Sequence, residues 1–223
     1  MTKPARKSAC AVTPRRIPAR PTAAYAHLAN VEPRLGTLID RVGPFDLPGK
    51  PATLYQFCRA VLGQQLSTTV AATIADRFRA VAGDDETLTP DTVLRQSDET
   101  LRGVGLSAAK VRTVRGLAEF WAAHDLSADR LASLPDEEII EMMTQVKGIG
   151  PWTVKMILIF CLRRPDVLPT EDLGVRVGFQ RLHGLERQPT PKELTEAAEA
   201  WRPWRTLGSW YCWQLLKLND WTP

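Results

Sequence analysis

Apolar residues recur at intervals of three and four along most of the chain beyond residue 20. This spacing is typical of amphipathic α-helices. No pair of alternating runs flanks an Asn-Gly or Asp-Gly turn, which argues against a sheet built from hairpins. The pattern therefore predicts an all-α protein with about ten short helices, which cover residues 33–42, 53–65, 68–81, 107–123, 136–146, 152–162, 173–182, 191–200 and 206–218.

Capping residues mark several of these helix starts. Short hydroxyl side chains accept hydrogen bonds from the first free amides of a helix, and proline suits the first turn because it has no amide to leave unpaired. The predicted caps are Thr53, Ser67, Ser107 and Thr190, and the predicted first-turn prolines are Pro135, Pro151 and Pro191. Residues 43–51 form a turn-rich link that can mark a boundary.

Charge is distributed unevenly along the chain. The net charge is +4, and residues 1–20 carry six basic and no acidic residues, so the remainder has 23 basic against 25 acidic residues. We expect residues 1–20 to be a disordered basic tail, which either contacts phosphates non-specifically or has no role. Overall basicity therefore cannot by itself argue for nucleic-acid binding by the body of the protein.

Several classes of protein and site are disfavoured. The longest apolar run, residues 156–162, is far shorter than the roughly 20 residues of a membrane span, and the start lacks the apolar stretch of a signal peptide. We therefore expect an intracellular protein. The four cysteines and three histidines are widely scattered, which argues against zinc sites and disulfide frameworks.

Two segments place a Gly-x-Gly turn directly before a helix, around Gly103 and Gly105 and again around Gly148 and Gly150. Such a turn can present unpaired amides beside the positive end of the helix dipole, which makes an anion site. In the second segment Ile149 would anchor the turn in the core. A phosphate bound there would fix the protein on DNA without reading sequence. The alternative is an ordinary turn between two helices.

The longer string Val146-Lys-Gly-Ile-Gly-Pro-Trp-Thr153 resembles the helix-hairpin-helix signature of base-excision DNA glycosylases. Three further strings, at residues 61–67, 167–176 and 201–205, resemble family motifs in the same order. The string at residues 167–176 looks like the corresponding segment of the DNA-3-methyladenine glycosylase II branch. The resemblance covers residues 53 to 218. Longer relatives carry a β-rich N-terminal domain ahead of these motifs, to which nothing in this sequence corresponds. This difference leaves the substrate range open.

The resemblance implies an all-α fold of two packed helical subdomains with the active-site cleft between them. Residues 53–165 would form the central subdomain with the hairpin, and residues 21–52 together with 166–223 would form the second. Lys147, Gly148, Gly150 and Thr153 would contact DNA. The carbonyls of Thr144, Val146 and Ile149 would hold a monovalent cation, Na⁺ or K⁺, and no other cofactor is expected.

Asp172 matches the family's catalytic carboxylate. Breaking the bond between base and sugar leaves positive charge on the deoxyribose, which a nearby carboxylate stabilises. At about 4 Å and an effective dielectric near 20, this attraction amounts to roughly 4 kcal/mol. The alternative is an ordinary N-cap aspartate.

Trp152 stands where the resemblance places the attacking lysine of glycosylases that also cleave the strand. Water is then the expected nucleophile, without a Schiff base or a strand-cleavage step. Trp152 and Trp213 correspond to the residues that line the base pocket, where an indole attracts a cationic alkylated purine by about 0.5–2 kcal/mol. Trp201, Trp204 and Trp210 suit core packing. One cysteine near the end, Cys212, cannot hold an iron–sulfur cluster.

Gln65 follows the first glutamine of Val61-Leu-Gly-Gln-Gln-Leu-Ser67, at the position that enters the minor groove in the family. It would fill the space of the flipped base or, equally, be a polar residue at a helix end.

The expected activity is hydrolytic release of alkylated bases, of the 3-methyladenine and 7-methylguanine type, by a monomer that flips bases out of duplex DNA. We expect the enzyme to reside with the DNA in the cytoplasm or nucleoid. The alternatives are a glycosylase for oxidised or mismatched bases and a non-catalytic hairpin module that only grips DNA.

Overall fold

A computed structural model describes residues 16–18 and 21–222. This part of the chain contains thirteen α-helices, one 3₁₀ turn and no strand, which confirms the all-α prediction and exceeds the predicted ten helices. The helices are α1 Thr22–Val31, α2 Pro33–Val42, α3 Leu54–Gly63, α4 Thr68–Ala82, α5 Pro90–Leu94, α6 Asp98–Gly103, α7 Ala108–Ala123, α8 Ala128–Ser133, α9 Asp136–Met143, α10 Pro151–Phe160, α11 Leu173–His183, α12 Pro191–Ala197 and α13 Arg205–Leu215, and the 3₁₀ turn is Ala198–Trp201.

The predicted helix starts agree with the structure. The side chains of Thr53, Ser67, Ser107 and Thr190 each accept a hydrogen bond from the backbone amide three residues further along the chain. Four helices, α1, α5, α6 and α8, were not predicted, and three of these have only five or six residues. Helices this short leave little room for an apolar repeat to show in the sequence.

The helices enclose two hydrophobic cores. The first core is built from residues between Ala52 and Val167, and the second from Ile17, α1, α2, Phe45 and residues between Leu168 and Leu215. The chain therefore crosses from one core to the other in the link that contains Phe45 and again between Val167 and Leu168.

Most of the predicted basic tail, residues 1–20, lies outside the described residues. Within it, residues 16–18 are described, and Ile17 is buried in the second core with its amide bonded to the carbonyl oxygen of Arg163 at 2.8 Å. Ile17 therefore packs into the fold, although the sequence placed it in the tail. None of the helices in the described ranges is both long enough and apolar enough to span a bilayer.

A close approach of two helices in the second core positions part of the site. A Cβ atom on Gly178 of α11 would lie 2.2 Å from the carbonyl oxygen of Cys212 on α13, so only glycine fits there. The contact holds α13 against α11 and brings Trp213 towards the start of α11, where Asp172 lies.

Candidate active site

The hairpin between α9 and α10 depends on glycine at position 148. Gly148 has φ of +93°, and a Cβ atom there would lie 2.1 Å from Oγ1 of Thr113 on α7. Both facts require glycine. Ile149 beside it is buried in the first core, as predicted, and its amide bonds to the carbonyl oxygen of Val146 at 3.0 Å. The turn is thus fixed from both sides.

The exposed edge of this turn carries free amides. Among the described hydrogen bonds, the backbone N–H groups of Lys147, Gly148, Gly150 and Trp152 have no acceptor. Gly150 is the N-cap of α10 and has no side chain to satisfy them, and Pro151 occupies the first helical position. These amides point to the same end of the α10 dipole, so the turn can bind an anion such as a phosphate.

The three carbonyl groups expected to hold a cation differ in whether they already accept a backbone hydrogen bond. The carbonyl of Val146 accepts the Ile149 amide, whereas those of Thr144 and Ile149 accept no backbone hydrogen bond in the described part of the chain. A carbonyl oxygen has two lone pairs, so all three retain capacity for a hard monovalent cation. The residues present therefore fit the group that the resemblance implies.

Thr153, which was predicted to contact DNA, is buried beside the hairpin. Its side chain is only 2 % exposed. Its Oγ1 accepts a hydrogen bond from Nε2 of Gln64 at 2.9 Å, and its amide bonds to the carbonyl oxygen of Gly150 at 3.0 Å. These bonds hold Thr153 inside the protein, where it supports the hairpin.

Asp172 is the N-cap of α11 and is half-buried. Its Oδ1 accepts the amide of Val175 at 2.9 Å, which is the ordinary capping bond. It also accepts two indole N–H groups: Trp152 donates to Oδ2 at 2.9 Å and Trp213 donates to Oδ1 at 2.8 Å. The structure therefore brings together the three residues that were expected to form the catalytic centre, and a cap alone requires only the first of these bonds.

The surroundings of Trp213 are tight. The ring of Phe160 stacks on it at 5.6 Å between centroids and 20° between planes. A Cβ atom on Gly174 would lie 2.9 Å from Cδ1 of Trp213 and 3.1 Å from Oδ1 of Asp172. Glycine at position 174 therefore allows the indole to reach the carboxylate.

An open cavity of about 460 Å³ adjoins Trp152. Its walls include Trp152, Met156 and Phe160 from α10 and Leu66 from the loop after α3, while Lys50 and Arg59 lie on the same cavity. Trp213 does not line it, and its contact with the cavity runs through Phe160. Burial and the nearby Arg59 lower the pKa of Lys50. The apolar α10 side is the part that suits a flat aromatic ligand.

The loop that carries Gln65 is exposed and has an unusual backbone. Gln65 has φ of +58°, which few residues other than glycine adopt, and its side chain faces solvent. The next residue, Leu66, is 39 % exposed. An exposed amide and an exposed apolar side chain thus stand side by side in this loop, and Leu66 lines the cavity.

Two residues that sequence reasoning did not select hold this loop in place. Gln64 donates from Nε2 to Thr153 Oγ1 and, at 3.3 Å, to the carbonyl oxygen of Gly148. Lys110 donates from Nζ to the carbonyl oxygens of Leu62 and Gln64 at 2.8 and 2.9 Å. The signals were available: Gln64 precedes Gln65 in the quoted string, and Lys110 follows the first Gly-x-Gly turn.

Of the two lysines nearest to Asp172 in the predicted site, one is paired with a carboxylate and the other is exposed on the hairpin. Lys155 on α10 pairs with the carboxylate of Glu171 at 2.9 and 3.0 Å, and Lys147 is exposed on the hairpin. The described cysteines, Cys58, Cys161 and Cys212, are free and buried. Burial raises the pKa of all three thiols, that of Cys161 to about 12, so they are protonated near neutral pH.

Comparison with known proteins identifies this arrangement. The family model described as "HhH-GPD superfamily base excision DNA repair protein" matches residues 58–203. The chain belongs to this superfamily. The match spans the hairpin, Asp172 and the loop that carries Gln65.

Individual relatives place the chain in the 3-methyladenine glycosylase branch of the superfamily. It is 36 % identical to DNA-3-methyladenine glycosylase 1 of Schizosaccharomyces pombe, over 90 % of each chain. The solved structure of the 3-methyladenine DNA glycosylase of that yeast with abasic DNA matches with a TM-score of 0.82 and 33 % identity, covering 91 % of this chain and all of that one. A DNA-3-methyladenine glycosidase of Bacillus halodurans matches with a TM-score of 0.75 and 31 % identity, covering 86 % and 88 %.

Proposed function

We propose that this HhH-GPD protein is a monofunctional DNA glycosylase that hydrolyses the N-glycosidic bond of alkylated bases in duplex DNA. The observation that carries the proposal is the Asp172 carboxylate held between two indole N–H groups, one of them from Trp152, which also lines the aromatic-walled cavity. A module that only grips DNA needs neither feature. The relatives named as 3-methyladenine glycosylases support the same activity.

Binding starts at the hairpin. The free amides of Lys147, Gly148 and Gly150 would take a phosphate oxygen, and the exposed Lys147 side chain would add a charge. These contacts fix the register of the protein on the duplex without reading its sequence. Gln65 and Leu66 would then enter the space left by the extruded nucleotide, the amide facing the orphaned base and the leucine packing against the stack.

The monovalent cation belongs to the same proposal. Held by the carbonyls of Thr144, Val146 and Ile149, it would supply positive charge close to the phosphate that the hairpin amides bind. Replacing potassium by tetramethylammonium at constant ionic strength should then weaken DNA binding severalfold, because that ion is too large for three carbonyl groups. Equal affinity in the two salts would remove the cation from the proposal.

The extruded base would lie against Trp152 in the cavity. A positively charged alkylpurine gains about 0.5–2 kcal/mol over an indole face. Lys50 and Arg59 repel such a base, so it would occupy the Trp152 and Phe160 side of the cavity. Asp172 would face the deoxyribose and stabilise the positive charge that develops as the base leaves, and water would complete the reaction. The products are a free base and an abasic site.

The test compares duplexes that contain 3-methyladenine, 7-methylguanine or 8-oxoguanine. We expect release of the methylated purines and an intact strand until the abasic site is cut by alkali. Borohydride should trap no covalent complex, because Trp152 replaces the attacking lysine and Lys155 is paired with Glu171. Preferential release of 8-oxoguanine, or a trapped complex, would overturn the proposal. We place the enzyme with the cell's DNA and propose that it acts as a monomer.

A further inference from the structure

The two tryptophans of the site donate their indole N–H groups to the same carboxylate. An indole N–H can only donate a hydrogen bond. Trp152 donates to one oxygen of Asp172 and Trp213 to the other, at 2.9 and 2.8 Å, and the amide of Val175 adds a third donor. The carboxylate therefore has at least one donor on each oxygen, and each of these bonds is charge-assisted when Asp172 is ionised.

From these contacts we infer that Trp152 and Trp213 are positioning residues for Asp172, which fix the orientation of its carboxylate beside the sugar. The inference rests on the proposed function and adds a role to the aromatic walls of that site. The three donors fill three of the roughly four lone-pair positions of the carboxylate, which restricts its rotation and leaves one position on Oδ2 open.

The packing around Trp213 supports a role beyond stacking on a base. One face of its ring is covered by Phe160, and its edge lies close to Gly174 and Asp172. The cavity is lined by Trp152 and Phe160 but not by Trp213 in the described structure. Trp213 therefore has its N–H, more than a free ring face, turned to the site.

The two donors also come from different cores. Trp152 lies on α10, which packs in the first core, and Trp213 lies on α13, which packs in the second. Asp172 is thus held by one helix of each core, and the Trp213 side chain itself packs against both cores. Within the second core, the close contact of α11 and α13 at Gly178 fixes Trp213 relative to Asp172.

The test replaces each tryptophan by phenylalanine, which keeps an aromatic ring and removes the N–H. Two DNA probes are used: a duplex with a neutral tetrahydrofuran in place of the sugar, and one with a cationic pyrrolidine. The ratio of the two affinities measures the negative charge presented to the sugar. We expect the ratio to fall by about tenfold in Trp152→Phe and in Trp213→Phe, the factor for losing one hydrogen bond to a charged group. Tetrahydrofuran binding should stay within about twofold of the wild type, which also reports on folding.

Asp172→Asn provides the partner for a double-mutant cycle. Since the tryptophans act through Asp172, Trp213→Phe should lower the ratio little or not at all once Asp172 is neutral. Trp121→Phe, a half-buried ring that packs edge-on against Phe57 away from the site, is the matched control and should leave the ratio unchanged.

The outcomes separate this inference from the function on which it rests. An unchanged ratio in both phenylalanine variants, or losses that simply add to that of Asp172→Asn, would overturn the positioning role while the glycosylase assignment stands. A wild-type ratio and wild-type base release in Asp172→Asn would instead overturn the proposed function itself.

Discussion

At the scale of single residues, the site depends on the N–H edges of two indole rings and on the absence of a side chain at Gly174. The indole N–H groups reach Asp172 because nothing stands between Trp213 and the start of α11. Gly174 supplies that space, since a Cβ atom there would approach both Trp213 and Asp172 to about 3 Å. Tighter contacts than this are rare in folded proteins, so a larger residue must displace the indole or the carboxylate.

Gly174→Ala should therefore slow base release more than it destabilises the protein. We expect the single-turnover rate on a 3-methyladenine duplex to fall by about tenfold, as for loss of one charge-assisted hydrogen bond. The melting temperature should drop by only a few degrees, as for a cost of about 1 kcal/mol.

Gly103→Ala is the matched control, because a Cβ atom on Gly103 would meet no heavy atom within 4 Å. Gly103→Ala should leave the single-turnover rate and the melting temperature unchanged. Equal rates for Gly174→Ala and the wild type would show that the Trp213–Asp172 contact has no part in catalysis.

The residues of this site differ in how far the sequence identifies them. Asp172, Trp152 and Trp213 belong to quoted strings, and the structure brings them into hydrogen-bonding contact. The contact itself was not predicted, because a string gives residue types and not the direction of an indole edge. Thr153 shows the reverse: it lies in the hairpin string, yet its side chain is buried against Gln64.

At the scale of elements, the hairpin and the loop after α3 form one unit. Gln64 joins them through its two hydrogen bonds, to Thr153 and to the carbonyl oxygen of Gly148, and Lys110 of α7 holds the loop from the other side. The phosphate site and the residues that would enter the helix stack therefore keep a fixed separation. Such pre-organisation lowers the cost of bending and opening the duplex.

Gln64→Leu tests this coupling, because it removes both bonds at similar side-chain volume. We expect base release from a stable A·T or G·C context to fall by about tenfold, and affinity for tetrahydrofuran DNA, which needs less opening, to fall less. Gln96→Leu removes one amide hydrogen bond, to Thr92, far from the hairpin and serves as the control. If both glutamine variants released bases at the same rate, the loop and the hairpin would act independently.

The elements themselves were predictable where the apolar repeat was long. Every helix of seven or more residues other than α1 has a predicted counterpart, and the four predicted caps lie where expected. Helix ends were overestimated, as at α9, which ends at Met143 because the chain turns into the hairpin. The loop conformation at Gln65, with positive φ, could not be predicted, because tertiary contacts of its neighbours impose it.

At the scale of the whole molecule, the two cores must hold a fixed relation for the cleft to work. Arg164 lies close to the point where the chain crosses between them. It is 1 % exposed, pairs with Asp136 at 3.0 Å, and donates to the carbonyl oxygens of Leu131, Ala132 and Leu134 at 3.3, 3.1 and 2.8 Å. One guanidinium group thus binds the free carbonyl oxygens at the end of α8 and the aspartate at the start of α9.

Arg164→Met should destabilise the protein strongly, because it leaves Asp136 and three carbonyl groups without their partner. Breaking one side of a buried pair costs about 3–5 kcal/mol. Burial already raises the pKa of Asp136, so its charge is poorly tolerated without Arg164. Denaturant unfolding measures the loss, and adding Asp136→Asn should recover part of it. An unfolding free energy within about 1 kcal/mol of the wild type would contradict this account of the crossing.

The two-core architecture followed from the family resemblance more than from the apolar pattern. Periodicity locates helices but does not say which of them share a core. Residues such as Ile17 and Leu215, almost two hundred positions apart, pack in the same cluster. Only the ordered strings at family spacing predicted that the cleft would lie between two such units.

The most direct measurement of the central claim is base release by Asp172→Asn. The amide keeps the shape of the carboxylate and removes the charge that would stabilise the sugar. We predict that single-turnover release of 3-methyladenine falls by at least about a hundredfold, a loss within the roughly 4 kcal/mol expected of such a charge, while affinity for tetrahydrofuran duplex stays near that of the wild type. Release at the wild-type rate by a folded Asp172→Asn protein would contradict the account.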